Sequence, residues 1–175
     1  MKQFHLCLFQ FIRKIRPQTL LDVGCGEGYT TILIKKEFPE LQVEGFEHDE
    51  DTVKKANSIH KELDVKKGDI TNIEKENNSF DLVLSSEVLE HLKNPEIAIK
   101  ECKRVSKQYC IFTVPNEPFF RLANLARLRY ISKLGNPPGH INHWTKSQFS
   151  YILRKEFESV TIKTSFVWTV ALCKK

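Results

Sequence analysis

The sequence predicts an α/β domain: a seven-stranded, mostly parallel sheet closed by an antiparallel C-terminal strand, with helices on both faces. Three observations predict it. Short apolar runs alternate with amphipathic stretches from residue 19 to residue 114, and that alternation implies parallel strands joined by crossover helices. The first apolar run, Leu20-Leu21-Asp22-Val23, enters Gly24-Cys25-Gly26-Glu27-Gly28 and then a helical pattern. Such a strand, tight loop and helix bring backbone N–H groups and a helix N-terminus toward a negative or electron-rich ligand. The last two apolar runs, residues 159–166 and 168–173, almost touch in sequence, and strands that close can pair only antiparallel.

The chain has 175 residues, which suits one domain spanning residues 1–175. Its net charge of +5 is too diffuse to imply a nucleic-acid partner. The five cysteines, Cys7, Cys25, Cys102, Cys110 and Cys173, lack CxxC spacing, so reduced thiols in a cytoplasmic protein are expected rather than disulfides or a zinc site. No apolar run approaches the roughly 18 residues of a membrane span. Residues 1–17 superficially resemble a signal peptide, but Gln3, His5 and Gln10 interrupt the apolar stretch and Arg13, Lys14 and Arg16 follow it. Phe4, Leu8, Phe11 and Ile15 instead fit one helical stripe, so a leading helix packed on the sheet is predicted.

The elements follow in order. Residues 29–38 form a helix stopped by Pro39. Residues 41–46 alternate as a second strand, ending in Glu47-His48-Asp49. A helix over residues 52–60 turns Val53, Ala56 and Ile59 inward, and a short third strand over residues 63–67 precedes Gly68-Asp69-Ile70. Residues 80–85 are a buried central strand, followed by Ser86-Glu87-Val88-Leu89-Glu90-His91-Leu92. Asn94-Pro95 caps a helix through residue 105, and residues 109–114 make the fifth strand. Residues 115–144 then form a long insertion with a helical core over residues 119–132. Thr145 to Gln148 read as a capping box opening a helix to about residue 156. The two C-terminal strands complete the sheet.

The glycine spacing decides the ligand class. A dinucleotide loop needs its third glycine at the sixth position, where this chain has Tyr29, and a Walker loop needs Gly-Lys-Ser/Thr, where it has Gly-Tyr-Thr. The spacing is acid-x-Gly-x-Gly-x-Gly, with Asp22 as the acid. With GFEHDE, GDI, FDLVLSSEVLEHL, TVPN and GHINHW, it resembles the class I S-adenosylmethionine (SAM)-dependent methyltransferases. The likeness is to the small-molecule, type 11 branch that includes ubiquinone-biosynthesis O-methyltransferases. It runs from about Thr19 to Cys173 and implies a Rossmann-like sheet and SAM, with S-adenosylhomocysteine (SAH) as product.

The cofactor set implied by the resemblance is Asp22, Gly24, Cys25, Gly26 and Gly28 at the loop, Glu47 and His48 after the second strand, Asp69 and Ile70 at the adenine, and Ser86 beside the adenosine or methionine portion. Glu47 is also reached from position alone. An acid at the tip of the second strand, about 20 residues past the loop, can accept from two ribose hydroxyls, whereas Asp49 to Asp51 suit a helix start. The family more commonly has Asp where this chain has Glu47.

Asn136-Pro137-Pro138-Gly139 resembles the Asn/Asp-Pro-Pro-aromatic motif of amino-group methyltransferases. It lacks the aromatic and lies far from the fourth strand, so it is read as a rigid turn. His140 and His143 are the candidate proton acceptors for a hydroxyl acceptor, and His91 is read as structural. His140-x-x-His143 has no acid or cysteine at ligand spacing, so no metal is assigned. The insertion is read as a cover over a small-molecule acceptor pocket, with core extension and membrane-surface contact through residues 119–132 as alternatives. A catalytically idle SAM-binding scaffold and a nicotinamide oxidoreductase stay open as other functions.

Overall fold

The computed structural model describes residues 2–175, with side chains from Gln3 onward. In chain order the elements are α1 (Lys2–Ile15), β1 (Thr19–Val23), α2 (Tyr29–Glu37), β2 (Gln42–Glu47), α3 (Glu50–Ile59), β3 (Val65–Lys67) and β4 (Phe80–Ser86). They continue with α4 (Pro95–Val105), β5 (Ser106–Pro115), α5 (Phe119–Ala126), α6 (Lys146–Arg154), β6 (Ser159–Ser165) and β7 (Trp168–Lys174). The sheet order is β3-β2-β1-β4-β5-β7-β6. β1 to β5 pair parallel, and β7 runs antiparallel to both β5 and β6. The predicted seven-stranded architecture and its antiparallel closure are therefore present.

Side-chain alternation along the strands builds two cores. Leu21, Val23, Val83, Cys110 and Phe112 face α4 and α6, where Ala98, Ile99, Cys102, Phe149 and Leu153 are buried. Leu20, Leu82, Leu84 and Ile111 face the other way, onto Phe4, Leu8, Phe11 and Ile12 of α1 and Ile34 of α2. The leading helix is thus part of the core. Each of its buried side chains contributes roughly 1.5–3 kcal/mol by leaving water.

Two elements differ from expectation. In α3, Ala56 is buried but Ile59 is 43% exposed, because the helix faces only a small cluster of Ile32, Leu63 and Val65. The helix expected over residues 119–132 ends at Ala126. It closes with Leu128 N donating to Leu125 O (2.9 Å) and Arg129 N to Asn124 O (2.8 Å), around Leu128 at φ 57°. This is the paired C-terminal closure that normally uses glycine. A single 3₁₀ turn, Ile131–Lys133, follows. Among the residues of α5 only Asn124 is buried, so α5 does not extend the core. The capping box at Thr145 and Gln148 is present. No helix among the described residues is long and apolar enough to cross a membrane.

Candidate active site

The glycine loop leaves β1 at the C-terminal ends of the parallel strands, where open α/β sheets bind ligands. Gly24 N and Cys25 N both donate to Phe46 O, at 2.8 and 2.9 Å, which ties the loop to β2. Gly24, Gly26 and Gly28 all have positive φ, but for different reasons. A Cβ on Gly24 would lie 2.4 Å from a Val88 methyl and one on Gly28 2.8 Å from Leu63, whereas one on Gly26 meets nothing within 4 Å. Gly24 and Gly28 are therefore demanded by packing, and Gly26 faces open space.

Two adjoining cavities lie over this loop. One, of about 480 Å³, is lined by Gly24, Gly26, Glu47, His48, Asp69, Ile70, Glu87, Val88 and His91, among others. The second, of about 330 Å³, is lined by Phe4, His5, Asp22, Gly24, Cys25, Gly26, Thr30, Ser86, Glu87 and Trp168. They share Gly24, Gly26 and Glu87. A larger apolar hollow of about 510 Å³, between Ile12, Pro17, Phe38 and Leu41, lies at the opposite ends of the strands.

Each sequence-predicted residue can now be placed. Asp22 is 1% exposed. Its Oδ2 accepts from Thr31 Oγ1 at 2.7 Å, while Oδ1 is buried without a partner. Burial pushes the carboxyl up to about 6, against the opposing effect of the Thr31 bond and with help from the Glu47 charge. Glu47 ends β2 with its carboxylate turned to the backbone. Oε2 accepts from Gly26 N (2.9 Å), and Oε1 from His48 N (2.8 Å) and Asp49 N (3.1 Å). Three of roughly four lone-pair sites are thereby engaged. Asp49 caps α3 by accepting from Thr52 N, the helix-start role that distinguishes it from Glu47.

His48 is exposed at the cavity rim. Asp69 Oδ1 accepts from Thr71 N and Oγ1, both at 2.8 Å, and those bonds hold its carboxyl below the usual carboxylate range. Ile70 is buried. Cys25 lines the second cavity, but its thiol packs beside Gly45 and burial pushes its pKa well up, so its side chain fills space. Ser86 Oγ lies 3.0 Å from Thr113 Oγ1, which donates to Glu87 Oε1 at 3.0 Å.

The two candidate bases have different surroundings. His143 is exposed, with Nδ1 3.6 Å from Oε1 of the buried Glu117. A cavity of about 270 Å³ beside them is lined by Pro118, Arg121, Leu122, Leu125 and Leu134. His140 sits against other rings. Its ring stands edge-on to His91 with centroids 4.7 Å apart and stacks on Phe120 at 5.7 Å. Burial, with His91 and His143 nearby, pulls it down to about 4, so it is neutral near pH 7.

Sequence reasoning missed the acid pair at the tip of β4. Glu90 is fully buried, with no cation or amide donor from another residue on its carboxyl, which meets Glu87 instead. Glu87 stands beside it at φ 60°. Burial and the Glu90 charge push Glu87 well above the ordinary range, and burial also raises Glu90. Two carboxyls three residues apart in an otherwise apolar run were the available signal. Thr31 was equally visible, three residues past the last loop glycine. In space, Glu90, His91 and His140 place one ligand atom each within 4.8 Å of one another, a grouping that the spacing of His140-x-x-His143 does not show.

Comparison with known proteins agrees with this geometry. The family model described as a methyltransferase domain matches residues 21–114, more than half of the chain. An uncharacterised methyltransferase of Schizosaccharomyces pombe is 34% identical over 111 residues, covering 57% of this chain and 39% of that protein. Norajmaline N-methyltransferase of Rauvolfia serpentina is 32% identical over 97 residues, covering 52% and 33%. The chain thus spans about a third to two fifths of the length of these relatives. Among solved structures, magnesium protoporphyrin IX methyltransferase of Synechocystis PCC 6803 with bound SAH superposes with a TM-score of 0.74 at 15% identity, covering 99% of this chain and 82% of that one. With the glycine loop, the sheet order and the family match in agreement, the chain belongs to the methyltransferase-domain family and has the class I SAM-dependent methyltransferase fold.

Proposed function

We propose that the chain binds SAM across the two adjoining cavities and transfers its methyl group to an oxygen or nitrogen atom of a small-molecule acceptor. The observation that carries this is the pair of adjoining cavities over Gly24 to Gly26, with Glu47 and Asp69 lining one and Asp22, whose Oδ1 is unpartnered, lining the other. That donor set fits the cofactor. Glu47 and Asp69 suit the ribose and adenine, Gly26 offers an open wall, and a buried unpaired carboxylate suits the cationic methionyl end. SAM supplies a methyl group on a sulfonium that is already a good leaving group.

The protein's part is to align the acceptor atom with that methyl at roughly 3 Å and to exclude water. A hydroxyl acceptor also gives up a proton. Of the two candidates, His143 is better placed to take it, beside Glu117 and next to the insertion cavity. His140 points into buried surroundings. The acceptor then lies beneath the insertion, whose exposed Phe119, Leu122, Ile131 and Leu134 serve as a cover, or rest on a membrane surface that delivers a lipid-like acceptor. The named N-methyltransferase relative adds support for a small-molecule acceptor.

The test is calorimetry with SAM, SAH and NAD(H), followed by radiolabelled methyl transfer to a panel of phenols, amines and lipid-like hydroxyl compounds. Binding of SAM and SAH but not NAD(H), with label in at least one acceptor, is expected. Preference for NAD(H) overturns the assignment, and SAM binding without any transfer favours an idle scaffold.

A further inference from the structure

We propose that Glu90, His91 and His140 bind a divalent transition-metal ion where the tip of β4 meets the insertion. The first ground is the state of Glu90. Its carboxyl is fully buried, no cation or amide donor from another residue reaches it, and the side chain that meets it is a second buried acid, Glu87. Two acids buried together cost several kcal/mol unless a shared proton or a cation meets them. The second ground is the donor set. His140 Nδ1 is buried and also lacks a partner, and His91 completes a trio within 4.8 Å.

The third ground is orientation. His91 Nδ1 lies 3.0 Å from Gly139 O. A carbonyl can only accept, so Nδ1 carries the proton and Nε2 keeps its lone pair. Metal-bound imidazoles are commonly oriented by such a bond. The backbone holds the two halves together independently. Ile141 N and Asn142 N donate to Glu90 O at 2.9 and 3.0 Å, and Asn142 Nδ2 donates to Leu89 O and Leu92 O.

Donors around one ion lie about 3–3.5 Å apart, so the trio closes by side-chain movements on the order of 1 Å. Two imidazole nitrogens and one carboxylate suit Mn²⁺, Co²⁺ or Zn²⁺ better than Mg²⁺ or Ca²⁺. Three protein ligands leave positions open, as in catalytic rather than closed structural sites. His91 and Glu87 also line the cavity over the glycine loop. Resting on the methyl-transfer proposal, an ion at this edge would neutralise the acid pair and polarise an acceptor oxygen.

The tag-free chain, stripped with a chelator, would be titrated with Mn²⁺, Co²⁺ and Zn²⁺ by calorimetry, with the visible Co²⁺ spectrum as a readout of ligation. One equivalent should bind, at least about tenfold more weakly in Glu90→Gln and His140→Ala, with circular dichroism unchanged. His91 is exposed, so His91→Ala, which should also weaken binding, keeps the test decisive if a buried variant fails to fold. No binding up to about 1 mM, or binding unaffected by all three substitutions, overturns the site. SAH titration of the same stripped protein separates the two proposals. SAH binding without metal binding removes the metal site alone, and metal binding without SAH binding removes the cofactor assignment alone.

Discussion

Asp22 shows how one buried side chain can couple fold, pH and ligand. Its carboxyl titrates near 6 in the fold against 3.8 for the free group, so the folded protein binds the extra proton between those values. The stability that goes with protonated Asp22 is present below about pH 3.8 and is lost as pH rises through about 6, by roughly 3 kcal/mol. Asp22→Asn should therefore gain stability relative to the parent as pH rises from about 4 to 7, read by denaturant unfolding at each pH. Glu47, whose charge contributes to the shift, and Cys25 beside it stay unchanged in that comparison. Affinity for a cationic cofactor should rise over the same interval in the parent and stay flat in Asp22→Asn. Glu47→Ala removes an acceptor from three backbone N–H groups, and calorimetry should show SAM or SAH binding weakened about tenfold or more. Asp49→Ala instead removes a helix cap, lowering stability with little change in affinity. These positions were legible because spacing from the glycine loop fixes them. Glu87 and Glu90 were not, since burial of an acid is decided by distant chain, here residues 139–142 and Thr113.

At the scale of elements, the glycine loop and the insertion make opposite demands. Alanine at Gly24 or Gly28 meets Val88 or Leu63 as well as the left-handed backbone cost of about 1–2 kcal/mol, so both should lower the melting temperature markedly. Gly26→Ala bears only the backbone cost, and it should abolish cofactor binding while the fold survives. Alanine is the probe of choice, because a β-branched residue at φ +57° is itself strained. Unchanged SAH affinity in folded Gly26→Ala would show that the ligand does not lie on this loop. For the insertion, hydrogen exchange across residues 119–143 should be fast in the free protein and slow once cofactor and an acceptor analogue bind. The shortened α5 explains why its length was misjudged. The apolar pattern runs on through Leu128, but the chain stops the helix by placing Leu128 itself in the left-handed region, and nothing about a leucine announces that. The capping box at Thr145 was legible because both of its partners are local in sequence.

At the scale of the whole molecule, alternation of apolar runs sufficed for the sheet, its parallel order and its two covered faces, because each strand must bury both sides. The antiparallel ending was readable because a link as short as Phe166-Val167 permits no other pairing. Contacts between the insertion and the tip of β4 were not readable, since they join residues about fifty positions apart, and the acceptors on the β4 side are backbone carbonyls that carry no side-chain signature. The closing hairpin has a further consequence, for biogenesis. β5 lies inside the finished sheet, between β4 and β7, and from Tyr109 to Pro115 its second edge is covered, among the described residues, by residues 168–174. During synthesis that edge stays open and apolar for some fifty residues after β5 itself has emerged, an invitation to pair with another nascent chain. A chain cut after residue 158 should therefore collect in inclusion bodies even though every residue of the glycine loop is present, and supplying residues 159–175 as a separate peptide during refolding should recover soluble protein.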